Sequence, residues 1–271
     1  MNSLSGPIIH PTDFSELSNN AFAHALRISL AVKAKLYVAH IAGRNAKDWQ
    51  SFPHIRPTLA RWGLLDANSS TAAIFNQLGV DVAKVEIDSH DPVRGLARFL
   101  ASHPSELMVL ATHGRDGMPR WFQPSVAEAM SRRARTQTLF IPGQGAGFVD
   151  YDGGGLHLER ILVPVDHSPD PTSAIAAVRR FCVALGAQPT IRLLHVGTSP
   201  PVQSDNFPID LRNGDVVDTI LQVTADMKAN LIAMATAGHQ GLLDAIRGST
   251  TERVLRQAPC PVLAIPVTGR L

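Results

Sequence analysis

Cysteine is scarce in this sequence, and neither sign of charge is in clear excess. The two cysteines, Cys182 and Cys260, form no Cys-x-x-Cys pair and no metal-ligand spacing, which favours a reducing compartment and two buried thiols. A formal net charge of +2 gives little support to nucleic acid or membrane lipid as the main partner. No apolar run approaches the roughly 18 residues of a membrane span. The first residues also lack the basic segment followed by an apolar segment that is typical of a signal peptide. We therefore expect a cytoplasmic protein that binds neither nucleic acid nor membranes.

The length and composition indicate two folded domains. The chain has 271 residues, which exceeds the roughly 150 residues of an average domain. Hydrophobic residues make up 45% and charged residues 18%, a balance that is typical of globular proteins and not of disordered ones.

The sequence contains an internal duplication. Residues 8–15 match 161–168, residues 36–40 match 191–195, and residues 85–142 match 209–266 without a gap. We therefore predict a first repeat over 1–142, a flexible glycine-rich linker over 143–157, and a second repeat over 158–271. The second repeat lacks a counterpart of residues 42–79, which lie between the second and third strands of the first repeat.

Each repeat alternates short apolar runs with segments of helical period. Such alternation predicts an α/β fold in which each repeat forms an open five-stranded parallel sheet flanked by helices. The extra segment of the first repeat predicts one further helix from about Thr58 to Leu78. The last strands, 138–142 and 262–266, are apolar edges, so we expect them to pair antiparallel and join the repeats as an internal pseudo-dimer. Whether two such chains form a homodimer is left open.

The loop after the fourth strand carries the most informative motif. In the second repeat, residues 235–238 read Ala-Thr-Ala-Gly, and after nine residues Gly248, Ser249 and Thr250 follow. Glycines let backbone N–H groups approach a phosphate at a helix start, and hydroxyls add donors. Without a ligand, Ser249 and Glu252 would form a capping box, and so would Ser125 and Glu128 of the first repeat.

This loop resembles the glycine signature of the universal stress proteins, and so do the Pro-x-Asp-x-Ser turn at 164–168 and the His-Val end of the second strand. The resemblance covers nearly the whole chain and implies a Rossmann-like fold of the adenine nucleotide alpha hydrolase type. It implies binding of ATP, with or without Mg²⁺, or of another adenine nucleotide. The implied contacts are Pro164, Val165, Asp166, Val196, Ala235, Gly238, Gly248, Ser249 and Thr250.

A weaker second site in the first repeat would use Asp13, Ile41, Gly114 and Ser125. Pro124 takes the place of a signature glycine there and removes one N–H donor, so we favour the second repeat for binding. Asp13 and Asp166 are equally well explained as turn or N-cap residues.

Two other functions stay open. The chain could be a scaffold of the same fold that has lost its nucleotide, or a slow ATPase. We assign no catalytic residues, because the sequence has no Walker lysine and no evident carboxylate pair to activate water. We also expect no metal site, because the histidines near the strand ends, His10, His40, His113, His167, His195 and His239, show no tight ligand spacing.

Overall fold

The computed structural model describes residues 4–42, 52–112, 136–143, 147–202, 207–237 and 250–267. Within these ranges, ten strands form one sheet, and seven helices cover it. None of these helices is both long enough and apolar enough to cross a bilayer.

The strands follow the apolar runs of the sequence, because most of these runs are buried between helices and the sheet, and only the outer strands are partly exposed. In chain order they are β1 Ile8–Thr12, β2 Leu36–Ala42, β3 Val82–Asp88, β4 Leu107–Thr112, β5 Gln137–Pro142, β6 Arg160–Pro164, β7 Thr190–Val196, β8 Ile209–Arg212, β9 Leu231–Ala237 and β10 Val262–Val267.

The sheet order is β3-β2-β1-β4-β5-β10-β9-β6-β7-β8. Neighbouring strands within each half run parallel, which confirms the predicted α/β class. The two halves meet where β5 and β10 pair antiparallel, with Leu139 opposite Leu263. This is the pairing expected from the apolar last strands, and it merges the two sheets into one.

Three of the described helices begin at a side chain that caps free backbone N–H groups. The helices are α1 Glu16–Val32, α2 Ile55–Arg61, α3 Thr71–Leu78, α4 Pro92–Ser102, α5 Pro171–Ala184, α6 Val216–Asp226 and α7 Thr250–Gln257. Ser15 caps α1, Asp170 caps α5, and Asp215 caps α6 by accepting from Val217 and Asp218. Each cap sits just after a strand or its following loop, so the chain turns back across the sheet at that edge.

The prediction of a single helix from Thr58 to Leu78 is wrong, because the structure has two separate helices in this segment. Helix α2 ends at Arg61, and Gly63 follows with φ of 70°, a left-handed conformation that ends helices. Asp66 Oδ1 then accepts from the Asn68 N–H at 2.8 Å, which forms a side-chain turn before α3.

The described part of the glycine-rich linker is packed against the first repeat instead of being flexible as expected. Phe148 is fully buried, and His24 Nε2 on α1 accepts from the N–H groups of Phe148 at 3.1 Å and Val149 at 3.2 Å. Further along, Trp62 Nε1 donates to the carbonyl oxygen of Tyr151 at 2.9 Å. The duplication alone did not reveal these contacts, since they join the linker to side chains that only the first repeat carries.

The cysteines are buried in the two faces of the core, as predicted. Cys182 packs on the face that α1 and α5 cover, and Cys260 packs on the opposite face. Burial raises the pKa of Cys182 to about 11 and that of Cys260 to about 12, so both are uncharged thiols at neutral pH.

Candidate functional site

An open cleft of about 230 Å³ lies at the carboxyl edge of the second half-sheet. It is bounded by the ends of β6, β7 and β9 and by the first turns of α6 and α7. Strand β6 lies between β7 and β9, so the strand order reverses beside β6. In parallel sheets this reversal opens a crevice that commonly binds ligands.

Six of the nine contacts implied for the second repeat line this cleft: Pro164, Val165, Asp166, Val196, Ala235 and Thr250. The other three, Gly238, Gly248 and Ser249, lie outside the described residues, as do Gly114 and Ser125 of the weaker site. The described lining therefore includes Val165, Asp166 and Val196, which the resemblance assigns to the adenosine. It also includes Thr250, which the resemblance assigns to the phosphates.

Asp166 stands at the rim of the cleft with an exposed carboxylate. Its side chain is 70% exposed, and Oδ1 accepts from the N–H of His167 at 2.7 Å. The carboxylate keeps further lone pairs toward solvent, so it can accept hydrogen bonds from a ligand.

His195 is a lining residue that we did not assign to the site from the sequence. It is 5% exposed, and its Nδ1 lies 3.0 Å from the carbonyl oxygen of Val165. His40 makes the same contact with Thr12 in the first repeat, at 2.9 Å. Because both repeats have it, this histidine ties the ends of the first two strands together, and the His-Val motif is the sequence signal for it.

Asp166, His167 and His195 could hold a metal ion, which the sequence spacing did not predict. One ligand atom from each residue lies within 4.8 Å of the others. Two imidazoles and a carboxylate suit a zinc-like ion. Coordination through His195 Nδ1 would, however, replace its hydrogen bond with Val165. Asp166 and His167 are consecutive residues, and the pairing of β6 with β7 brings His195 next to them.

Apolar side chains form most of the inner wall of the cleft. Leu194 and Met234 lie on the strands, and Val216 and Ile220 face them from α6. Such a wall suits the flat face of an aromatic base. The sequence did not single out these residues, since an apolar side chain in a ligand-binding wall looks the same in sequence as one in the core.

Thr236 belongs to the Ala-Thr-Ala-Gly motif and also lines the cleft, although the sequence did not indicate a site role for it. It follows Ala235 on β9 and is 2% exposed. Its Oγ1 has no hydrogen-bond partner among the described residues.

The corresponding place in the first repeat is arranged differently. Asp13 Oδ1 accepts from both the N–H and the hydroxyl of Ser15, at 3.0 and 2.6 Å, which is the turn role considered for it. The ring of Phe14 stacks on His40 with centroids 3.9 Å apart, and buried Phe52 contacts both rings edge-on. We call Phe14, His40 and Phe52 the aromatic cluster. It packs beside the end of β2, where Ile41 is half-buried.

Helix α6 starts beside the cleft at Asp215, whose carboxylate is held in its charged form by its neighbours. Backbone hydrogen bonds from Asp218 and Val217, together with Arg253 of α7 nearby, lower the pKa of Asp215. Arg253 lies 3.5 Å from Asp215 and links the starts of the two helices that border the cleft.

Known proteins share both the sequence pattern and the fold. The model of the universal stress protein family matches residues 5–142 and 203–266. Universal stress protein MJ0531 of Methanocaldococcus jannaschii is 38% identical over 56 residues, which is 21% of this chain and only 33% of that protein.

Two solved structures share the fold over nearly the whole length. A universal stress protein from Archaeoglobus fulgidus has 17% identity and a TM-score of 0.59, with 96% of both chains covered. The cytoplasmic domain of a prokaryotic cation chloride cotransporter has 11% identity and a TM-score of 0.52, with 96% of this chain and 94% of that chain covered. At these identities the likeness concerns the fold alone.

The family match spans most of the chain and includes all five strands of the first half of the sheet and β8, β9 and β10 of the second. This chain belongs to the universal stress protein family.

Proposed function

We propose that the second repeat binds ATP or a related adenine nucleotide, and that the bound nucleotide sets the state of a stress-response or signalling module. The observation that carries the proposal is the convergence of Pro164, Val165, Asp166, Val196, Ala235 and Thr250 on one cleft. These residues come from three strands and a helix start that are far apart in the sequence.

The chemistry of the cleft supports a nucleoside in the described part of the site. The exposed carboxylate of Asp166 is an acceptor for the amino or hydroxyl groups of adenosine. The apolar wall of Leu194, Met234 and Ile220 offers a surface for the base. Helix α7 begins at Thr250, so its first N–H groups and its dipole favour phosphate at the adjacent end.

The difference between the repeats supports one nucleotide per chain. In the first repeat the Asp13 carboxylate accepts from Ser15, and the aromatic cluster covers the neighbouring strand ends. A ligand there would have to displace packed rings. We therefore propose that the first repeat acts mainly as a structural partner for the second.

A nucleotide-free scaffold is the alternative for the whole chain. The similar fold of a cotransporter domain shows that this architecture is found in different functional settings, so the function has to be argued from the site. The scaffold hypothesis predicts that neither repeat binds a nucleotide.

Mass spectrometry of the purified protein tests the proposal. The protein is denatured by heat, and released small molecules are compared with those from an Asp166→Ala variant purified in parallel. We expect an adenine nucleotide near one equivalent from the wild type and much less from the variant. If the wild type releases none, calorimetric titration with ATP decides, and the absence of binding would favour the scaffold.

A further inference from the structure

Two histidines and an aspartate meet where β6 and β7 end. Asp166 and His167 come directly after the end of β6, and His195 lies near the end of β7, the neighbouring strand. One ligand atom from each side chain lies within 4.8 Å of the other two. Within the part of the chain that the structure describes, no other three His, Cys, Asp or Glu side chains come together in this way.

The distances between these side chains are close to those of a metal site. A zinc ion binds nitrogen and oxygen at about 2.0–2.2 Å, so two ligands of a tetrahedral ion lie roughly 3.4 Å apart. Asp166 Oδ1 and His195 Nδ1 are 3.9 Å apart, and the rings of His167 and His195 stand edge-on with centroids 5.5 Å apart. Asp166 and His167 are exposed, so small side-chain rotations close the remaining distance, whereas burial holds His195 in place.

The proton on His195 has somewhere to go when a metal binds. Its Nδ1 lies 3.0 Å from the carbonyl oxygen of Val165, which only accepts hydrogen bonds, so Nδ1 carries the proton in this arrangement. Coordination through Nδ1 moves that proton to Nε2 and exchanges the hydrogen bond with Val165 for a bond to the metal. The imidazole stays neutral throughout, as a metal-ligating histidine must.

The first repeat provides an internal comparison. Asp13, Phe14 and His40 occupy the corresponding positions, and His40 makes the same contact with the carbonyl oxygen of Thr12. The ring of Phe14 stacks on His40, however, and a phenyl ring offers no nitrogen or oxygen to a metal. The first repeat therefore has two of the three ligands, and His167 supplies the third in the second repeat.

The donor atoms select the kind of ion. Two imidazoles and one carboxylate suit Zn²⁺ and similar transition-metal ions, whereas Mg²⁺ and Ca²⁺ prefer oxygen ligands. Three protein ligands leave the fourth position of a tetrahedral ion to water, which the exposed rim of the cleft can supply. The thiols of Cys182 and Cys260 are buried in the core, so they do not compete for the ion.

We propose that Asp166, His167 and His195 form a binding site for Zn²⁺ or a similar divalent transition-metal ion. Protein side chains alone hold this ion, in contrast to a Mg²⁺ ion that arrives with the phosphates of ATP. The site therefore does not depend on the proposed nucleotide function.

Calorimetric titration with Zn²⁺ tests the site in untagged protein that has been freed of metal and nucleotide. We expect one equivalent to bind to the wild type. His167→Phe, which copies the first repeat, should weaken this binding by about 100-fold. Loss of a partner one shell further out already costs about 10–100-fold in metal affinity. His157→Gln is the matched control, because His157 is also exposed but lies outside the cluster, and it should bind Zn²⁺ as the wild type does.

Thermal denaturation guards against a folding defect. Metal-free His167→Phe should melt at the same temperature as the metal-free wild type, because the side chain is exposed. Added Zn²⁺ should raise the melting temperature of the wild type and of His157→Gln, but not that of His167→Phe.

Two results would overturn the site. In one, the wild type binds no Zn²⁺. In the other, His167→Phe binds it with the same affinity and stoichiometry, which would place the ion elsewhere on the surface. A protein that binds Zn²⁺ in this way but binds no ATP would overturn the proposed nucleotide function and leave the metal site standing.

Discussion

At the scale of single residues, Asp13 and Asp166 occupy the same motif but make different hydrogen bonds. Both follow the first strand of their repeat and precede a serine by two positions. Asp13 accepts from Ser15 and shapes the turn into α1, whereas Asp166 Oδ1 accepts from the N–H of its own neighbour, His167. The role of such an aspartate therefore depends on the turn that follows it.

Asp166→Ala should reduce ATP affinity about tenfold or more, because a hydrogen bond to a charged group contributes about 1.5–3 kcal/mol. The side chain is exposed, so the free energy of unfolding should change by no more than about 0.5 kcal/mol. Calorimetric titration and denaturant unfolding measure the two effects. Asp13→Ala is the matched control, and an equal loss of affinity in that variant would argue against a site confined to the second repeat.

Two buried histidines predict loss of stability in acid. Burial lowers the pKa of both His10 and His24 from 6.5 to about 4, so the folded protein keeps them neutral while the unfolded chain protonates them. Their contribution to stability is therefore complete above about pH 6.5 and declines as the pH falls from 6.5 toward 4.

Substitution of His24 tests this dependence. In His24→Gln the stability should fall less steeply between pH 6.5 and 4, because only His10 then opposes protonation. Denaturant unfolding at several pH values measures the slope, with exposed His157→Gln as the control. A slope equal to that of the wild type would show that His24 takes up no proton on unfolding.

At the scale of elements, the linker packs closely against α1 and α2 of the first repeat. Gly154 has φ of 69°, and a Cβ there would lie 2.5 Å from Trp62 Cδ2. Arg27 Nε also donates to its carbonyl oxygen at 2.9 Å. These contacts leave no room for a side chain at position 154.

Gly154→Ala should therefore destabilise the protein more than Gly186→Ala does. Gly186 has a similar φ of 63° but no atom within 4 Å of the added methyl. Both variants bear the strain of a left-handed alanine, of about 1 kcal/mol, and only Gly154→Ala adds a steric cost of about 1–3 kcal/mol. Denaturant unfolding compares them. Equal losses would mean that the linker can shift away from Trp62.

Elements were easier to predict than their side-chain contacts. Apolar runs such as 161–163 predict buried parallel strands because nothing else buries both faces of so short a segment. The break at Gly63 was missed because a glycine inside a helical period does not reveal its φ. Thr112 and Thr236 occur in the same Ala-Thr motif, but the Thr112 hydroxyl donates to the carbonyl oxygen of Ile141 and that of Thr236 has no partner among the described residues, a difference that the motif does not reveal. Asp166 and His167 are consecutive, but the sequence did not reveal that the pairing of β6 with β7 brings His195 beside them.

At the scale of the whole molecule, the continuous sheet couples the repeats. Leu139 and Leu263 are both fully buried across the β5–β10 junction, so unfolding of one half would expose the other. We expect one cooperative unfolding transition for the chain.

Nucleotide should therefore raise the melting temperature of the whole chain. A ligand at a hundredfold excess over Kd stabilises the folded state by about 2.7 kcal/mol, which corresponds to several degrees for a protein of this size. ATP should give a larger shift than adenosine, because adenosine forgoes the phosphate contacts. Thermal denaturation with each ligand measures this. Equal shifts would contradict a phosphate subsite, and two separate transitions would contradict coupling between the halves.

The antiparallel β5–β10 pair also fixes the direction in which each repeat faces. Strands within a half are parallel and the halves run in opposite directions, so the carboxyl ends of the two halves lie at opposite edges of the sheet. The cleft beside Asp166 and the aromatic cluster beside His40 therefore belong to opposite poles of the molecule. If the second repeat binds a nucleotide as proposed, the ligand would change the surface at one pole only, and the surface at the other pole would stay the same.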